Sequence, residues 1–258
     1  MNKKFLNESN DIREIVYQSY ISKHFGFSHD INNIEKEYYR TYLWWKDNVW
    51  KLINHLDEKS KILDIGCGLG HHMYALKNLG FKNVLGIDIS EECVRFCKRK
   101  GFNVIQADAF KFLSECNEKC DLIIAFDIIE HLTVEEGYLL SKLVLDRLKN
   151  NGLFIINVPN ANNPLELRDR FIDITHKVIY TPESIRELLL VAGFREVKVI
   201  GVKPFSTIDK SFSRRLIKRF IMLPLYKISL ALLKIFYYSQ GFFDVKILEH
   251  RILAIGYK

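Results

Sequence analysis

The sequence predicts an α/β protein, a mostly parallel sheet with helices on both of its faces. Three observations carry that prediction. From Lys61 to Val158, short apolar runs rich in Ile, Leu and Val alternate with longer amphipathic stretches. Such alternation gives strands joined by right-handed crossovers, the hand in which a helix packs back onto its own sheet. The first of those runs, KILDIGCGLG at residues 61–70, passes from an apolar strand ending in Asp64 into Gly66, Gly68 and Gly70. Finally, a chain of 258 residues with 48% apolar composition buries enough surface for one such domain with additions.

Residues 1 to about 34 are polar with scattered aromatics, and Ile12 to Ile21 reads as a short helix. From Glu35 to Leu56, Tyr38, Tyr42, Trp45, Val49, Leu52 and Leu56 recur at steps of four and three, an amphipathic helix with a wide aromatic face. Packing of that face on the sheet is the expectation; the sharper alternative is that Tyr38, Tyr42 or Trp45 roofs a ligand. Residues 1–56 are thus read as an N-terminal helical segment, and 57–258 as the sheet domain with a helical insertion at 205–243. The sheet strands are expected at Lys61–Ile65, Asn83–Asp88, Phe102–Gln106, Cys120–Phe126 and Gly152–Val158, with helices opening at His71, Ser90, Ala109 and Thr133. Ser90 can cap a helix with Glu91 and Glu92 in its first turn, and Thr133 with Glu136 forms a capping box. Thr181, Pro182 and Gly193 bound a further helix, and Arg195–Val202 and Arg251–Tyr257 read as two more strands.

Glycines at alternate positions let the backbone turn sharply and come close to a ligand, and the following helix points its first N–H groups at it. Asp88 ends the next strand, 22 residues after Gly66, and Asp108 follows 20 residues later; CDLIIAFDIIEHL then runs from an apolar strand into polar residues. This order and spacing resembles the class I S-adenosylmethionine (SAM) dependent methyltransferases. The resemblance implies a Rossmann-like seven-stranded sheet, mostly parallel with an antiparallel edge, and SAM as cofactor. It implies cofactor contacts at Asp64, Gly66, Cys67, Gly68, Gly70 and His71 of the turn, at Asp88 and Ile89 for the ribose, at Asp108 and Ala109 for adenine, and at Phe126.

The stretch VPNANNPLELRDRFIDITHKVIYTPESIRELLLVAGF adds a VPN strand end, a D-x-T-H segment from Asp173 to His176 and a TPES helix start. It resembles methyltransferases of bacterial surface polysaccharide (capsule, LPS or O-antigen) gene clusters, over residues 35–258. A sugar hydroxyl needs its proton taken before it attacks a methyl group. His131, just past the fourth strand, and His176, after the fifth, are the candidate bases, with Asp173 as an orienting partner. A competing use exists: Asp127, Glu130 and His131, spaced D-x-x-E-H, resemble the E-x-x-E-H segment by which ubiquinone O-methyltransferases hold a divalent cation. Carboxylates at helix starts are common without a metal, and none is expected here.

The net charge of +7 is local. Residues 210–243 hold seven basic side chains and no acidic one, and removing these seven from the 38 leaves as many as the 31 acidic residues. A neutral body with one basic stretch excludes a broad nucleic-acid surface. That stretch, SRRLIKRFIMLPLYKISLALLKIFYY, has no uncharged run longer than seven residues in its helical part, so two short amphipathic helices broken near Pro224 are expected, not a membrane span. They would lie on an anionic membrane surface through residues 212–240, or serve as a lid or homodimer contact. The five cysteines are odd in number and the first residues lack an apolar leader core, which suggests a cytoplasmic protein with free thiols. The expectation is therefore a SAM-dependent O-methyltransferase acting on a glycan or nucleotide-sugar acceptor in cell-surface polysaccharide biosynthesis, peripheral on the inner membrane face. The alternatives are a ubiquinone-type lipid-quinone O-methyltransferase and a catalytically silent SAM-fold scaffold at a membrane.

Overall fold

A computed structural model describes residues 33–258 apart from Lys210. The helix expected at Ile12–Ile21 lies outside the described residues. In chain order the elements are α1 (Ile34–Asn48, followed by a short turn Trp50–Ile53), β1 (Ile62–Ile65), α2 (His71–Asn78), β2 (Val84–Asp88), α3 (Glu91–Arg99), β3 (Val104–Gln106), α4 (Ala109–Glu115) and β4 (Cys120–Phe126). There follow α5 (Val134–Arg147), β5 (Leu148–Pro159), α6 (Glu166–Ile172), α7 (Pro182–Ala192), β6 (Glu196–Val202), the long helix α8 (Phe212–Ser239) and β7 (Arg251–Tyr257).

The seven strands lie in the order β3-β2-β1-β4-β5-β7-β6. β1 to β5 pair in parallel, and β7 slots between β5 and β6, antiparallel to both. Local signals place the helices as the sequence suggests. The Ser90 hydroxyl accepts from the Cys93 amide, Thr133 and Glu136 form a capping box, and Pro182 opens α7, which ends at Gly193 in the left-handed conformation. β1 is buried at all four positions and β4 at its last five, the pattern of strands covered on both faces. One apolar layer under α5 and α7 gathers Ile65, Ile123, Phe154, Leu140, Ile185 and Leu189. The opposite layer gathers Ile62, Ile124, Ile155 and Leu253 under Trp45, Val49 and Ile53, so the aromatic helix does pack on the sheet.

The basic stretch departs from expectation. It is one unbroken helix of 28 residues with a π-turn at Lys218–Met222, not two helices broken at Pro224. Proline clashes with the carbonyl four residues before it, and the wider π-turn in that place gives the ring room. By length and composition this helix is apolar enough to cross a membrane, which corrects the reading that its charges rule this out. Charge-free run length was the wrong measure, because the long side chains of basic residues, mid-helix Lys227 and Lys234 included, can reach away from an apolar face.

Candidate active site

The turn between β1 and α2 forms one half of the site. Its three glycines have φ of +68°, +50° and +81°. A Cβ on Gly66 would fall 2.0 Å from Ile128 Cδ1, whereas one on Gly68 would meet nothing within 4 Å. Packing thus demands the first glycine, and the second borders space that a ligand can enter. The turn is anchored from three sides. The Gly66 and Cys67 amides donate to the Ile87 carbonyl at 2.8 and 3.0 Å, and Tyr38 Oη donates to the Leu69 carbonyl at 2.5 Å. From the third side Asp88 accepts the Gly68 amide on Oδ2 and the Ser90 amide on Oδ1, both at 2.8 Å. Burial pushes the Asp88 carboxyl above the usual carboxylate range.

Asp64 lies below the turn, fully buried, and neither of its carboxylate oxygens has a hydrogen-bond partner among the described residues. Burial, and then the neighbouring Asp88, raise its pKa well above the usual range. A buried carboxylate without a partner is costly unless a cation or donor joins it.

The second half forms where β4, β5 and β7 end and the 160–181 segment crosses. Just past β4, Asp127 sits at φ +57°, a strained backbone for a residue other than glycine. Its carboxylate bonds the Arg251 guanidinium, which also donates to Asn157 Oδ1 at 2.7 Å and lies 3.9 Å from Glu130 Oε1. Burial lowers the Arg251 pKa to about 10. Glu130 and His131 sit buried in a 3₁₀ turn, tied to the crossing segment because the Lys177 and Val178 amides both donate to the Glu130 carbonyl. His131 Nδ1 lies 2.8 Å from Thr175 Oγ1, which donates to Asp173 Oδ1 at 2.6 Å, and the Thr175 amide donates to the same oxygen at 2.8 Å. The His176 ring centres 4.6 Å from that of His131. Ligating atoms of Glu130, His131 and His176 lie within 4.8 Å of one another, close enough to share a metal ion.

Residues 37–199 match the family described as "Methyltransferase domain". The chain belongs to that family. Among curated relatives it is 31% identical over 144 residues to the ubiquinone biosynthesis O-methyltransferase of Rickettsia canadensis, covering 53% of this methyltransferase chain and 55% of that protein. It is 25% identical over 223 residues to the carboxy-S-adenosyl-L-methionine synthase of Nautilia profundicola, covering 72% and 93%. The methyltransferase chain spans about half the length of the first of these relatives. Among solved structures, a SAM-dependent methyltransferase from Archaeoglobus fulgidus superposes with a TM-score of 0.63 at 23% identity, over 89% of this chain and all of that one. The magnesium protoporphyrin IX methyltransferase of Synechocystis, solved with bound SAH, gives 0.56 at 19% identity over 74% and 93%. These share the fold, and the methyltransferase domain takes SAM as its cofactor.

The residues present fit that cofactor. SAM carries a sulfonium and an α-ammonium, the charges an unpaired Asp64 would take up, and Gly68 leaves the turn open beside it. Asp88 offers about four lone-pair sites, two of which the backbone amides occupy, so the others remain for ribose hydroxyls. Ile89, 43% exposed, and Asp108 with Ala109 at the start of α4 stand at the rim beside them; Asp108 Oδ1 caps that helix by accepting the Lys111 amide at 2.9 Å. Two proposed contacts turn inward instead. The Cys67 side chain lies beneath Gly86, and the Phe126 ring stacks on Trp45 at 5.5 Å. His72, next to His71, lies half-buried between Trp45 and Phe126, with the Trp45 indole donating to its Nδ1 at 2.9 Å. The His71 ring meets Tyr38 edge-on at 5.2 Å, so Tyr38 braces the turn, and Trp45 fills the core rather than a roof.

Sequence reasoning brought His131, His176 and Asp173 to one place but missed Thr175, which links them, and Arg251. The threonine stood inside the quoted D-x-T-H motif, and its hydroxyl was the signal. Arg251 is a lone charge heading an otherwise apolar strand, RILAIGY, and that contrast could have found it.

Proposed function

We propose that the protein is an O-methyltransferase acting on a hydroxyl of a sugar or sugar-linked group in cell-surface polysaccharide biosynthesis, on the cytoplasmic side of the membrane. The observation that carries the O-transfer reading is the chain Asp173–Thr175–His131. The single Thr175 hydroxyl proton goes to the Asp173 carboxylate, so Thr175 Oγ1 must accept from His131 Nδ1–H, which leaves the lone pair on Nε2. A histidine held in that tautomer is a general base for an acceptor hydroxyl. SAM, when bound, supplies an electrophilic methyl group at the mouth of the glycine turn. The chain's own task is to place the hydroxyl in line behind that methyl, exclude water and take the proton at His131 Nε2. His176 stands beside it, and Arg251, held by Asp127 and Asn157, supplies a fixed positive charge at the acceptor side. The resemblance of residues 157–194 to methyltransferases of polysaccharide gene clusters supports the glycan acceptor.

The test pairs calorimetry with turnover. SAM binding, together with transfer of labelled methyl to the surface glycan or its sugar precursors and loss of transfer in His131→Ala at unchanged SAM affinity, supports the proposal. Binding with no transfer to any glycan or quinone favours a silent scaffold. A second reading, a quinone O-methyltransferase, is favoured by the Rickettsia likeness and by the Glu130, His131 and His176 cluster. Metal-dependent methylation of a polyprenyl phenol, with no transfer to sugar, would establish it.

A further inference from the structure

The helix α8 runs for 28 residues, about 42 Å at 1.5 Å per residue, and none of its residues is buried. From Leu223 onward its half-buried positions, Leu223, Tyr226, Leu230, Leu233 and Tyr237, recur at steps of three and four and so mark one side. That side rests on the protein: Tyr226 meets Phe205 edge-on at 5.9 Å, and Tyr237 Oη donates to the Asn162 carbonyl at 2.7 Å. At the N-terminal end, Arg214 and Lys218 hold Asp209 at 3.3 and 3.1 Å.

The opposite side is Ile217, Ile221, Leu225, Ile228, Leu232 and Ile235, again at steps of three and four, each between 48% and 64% exposed. Six exposed aliphatic side chains in one stripe, flanked by Phe220 and Phe236, form a larger apolar face than a soluble monomer ordinarily shows water. Arg214 and Lys218 are held by Asp209, while Arg215, Arg219, Lys227 and Lys234 also accompany the stripe in a stretch, residues 210–243, that carries no acidic side chain. The two contacts with the body, at Tyr226 and Tyr237, favour a helix that lies in the interface, with its outer stripe among acyl chains and its cations at anionic headgroups, over one that stands upright through a bilayer.

We propose that α8 seats the protein in the plane of an anionic bilayer and that the acceptor reaches His131 from a lipid carrier in that surface. The acceptor half of this statement rests on the methyltransferase reading above. It is carried by the 160–181 segment, which Tyr237 grips at Asn162 and which bears Asp173, Thr175 and His176 together with exposed Phe171, Ile172 and Ile174 at 75%, 63% and 72%. The catalytic segment and the lipid-facing helix are thus mechanically joined, and both present apolar side chains outward.

Co-sedimentation of the full chain with vesicles of phosphatidylglycerol and phosphatidylcholine in equal parts, against phosphatidylcholine alone, tests the seat. Binding is expected only with the anionic lipid, and both the double variant Ile228→Glu/Leu232→Glu and the double variant Arg215→Glu/Arg219→Glu should weaken it roughly tenfold or more. SAM affinity is read in parallel and should not move, which shows that the variants fold; failure of SAM binding in the unaltered protein would sink the methyltransferase reading and leave the vesicle result standing. Three results would overturn the proposal: equal sedimentation after either double substitution, a solution dimer that Ile228→Glu splits without any vesicle binding, or retention in membranes through an alkaline carbonate wash, which marks a crossing helix. Label from methyl-tritiated SAM should enter solvent-extractable lipid when cell-envelope lipid is the probe; label confined to water-soluble sugars would overturn the carrier.

Discussion

Thr175 Oγ1 stands 2.8 Å from His131 Nδ1 and donates its one proton to Asp173, so under the proposed mechanism the threonine fixes which histidine nitrogen takes the acceptor's proton. Removing the hydroxyl leaves the ring free to adopt the other tautomer. Thr175→Val should therefore lower kcat by about 10- to 100-fold, a part of the roughly 100- to 10,000-fold that a positioned general base contributes. Thr175→Ser should restore most of it. SAM affinity should stay within about twofold in both variants, because neither touches the glycine turn. Steady-state rates with a calorimetric Kd for each variant check this, and equal kcat in Thr175→Val would remove the relay.

Asp88 is expected to show two losses at once. Asp88→Ala leaves the Gly68 and Ser90 amides without an acceptor, which costs about 1–3 kcal/mol of stability by the usual penalty for a buried unsatisfied group. The turn then loosens, and SAM affinity should fall roughly a hundredfold, since anchor and ribose acceptor vanish together. Urea unfolding and calorimetry on the same sample check both. Unchanged affinity would mean the ribose lies elsewhere.

Asp64 should behave oppositely in the two states. Without a ligand its carboxylate carries a burial cost, so Asp64→Asn should leave the Tm of the free protein level or raised. With SAM, the lost negative charge should weaken affinity about tenfold or more. Thermal shifts with and without SAM test the crossing of these signs.

His72 supplies a pH signature. Burial, then His71 and the Arg251 cation, push its pKa down to about 3, so it is neutral in the folded protein while an unfolded histidine titrates near 6.5. Between those two values the unfolded chain holds a proton that the folded chain refuses. Stability from this group is thus intact above about pH 6.5 and falls as the pH drops, by up to about 1.4 kcal/mol per pH unit. Asp64 and Asp88, whose values are raised, contribute with the opposite sign, so the comparison that isolates His72 is with His72→Gln. Urea midpoints between pH 7 and pH 4 should fall less steeply in that variant.

Under the histidine-base reading, methyl transfer should survive exhaustive chelation. Loss of turnover with EDTA and its return with a divalent cation would instead put a metal on Glu130, His131 and His176, and shift weight to the quinone acceptor.

Much of the fold was legible because its signals are local. The capping residues Ser90, Thr133 and Thr181, the glycine turn and the apolar strand runs each act within a few residues of their own position. The glycine turn was legible with it, since Gly66, Asp64 and Asp88 lie at the ends of neighbouring strands. What escaped depends on distance along the chain. Arg251 meets Asp127 across 124 residues, and Tyr38 meets Leu69 across 31. The fate of Pro224 escaped for another reason: a π-turn is a backbone accommodation with no composition of its own.

The placement of β7 sets an order on assembly. Among the described residues β5 has β4 on one side and β7 on the other, while β6 joins the sheet only through β7. Until Arg251–Tyr257 is made and inserted, β5 is an open edge, β6 has nowhere to dock and the Asp127 carboxylate lacks its guanidinium. The half built on the glycine turn can thus mature on the nascent chain before the half proposed to take the acceptor is complete, and β7 works as the clasp that closes both the sheet and the Asp127–Arg251 pairing.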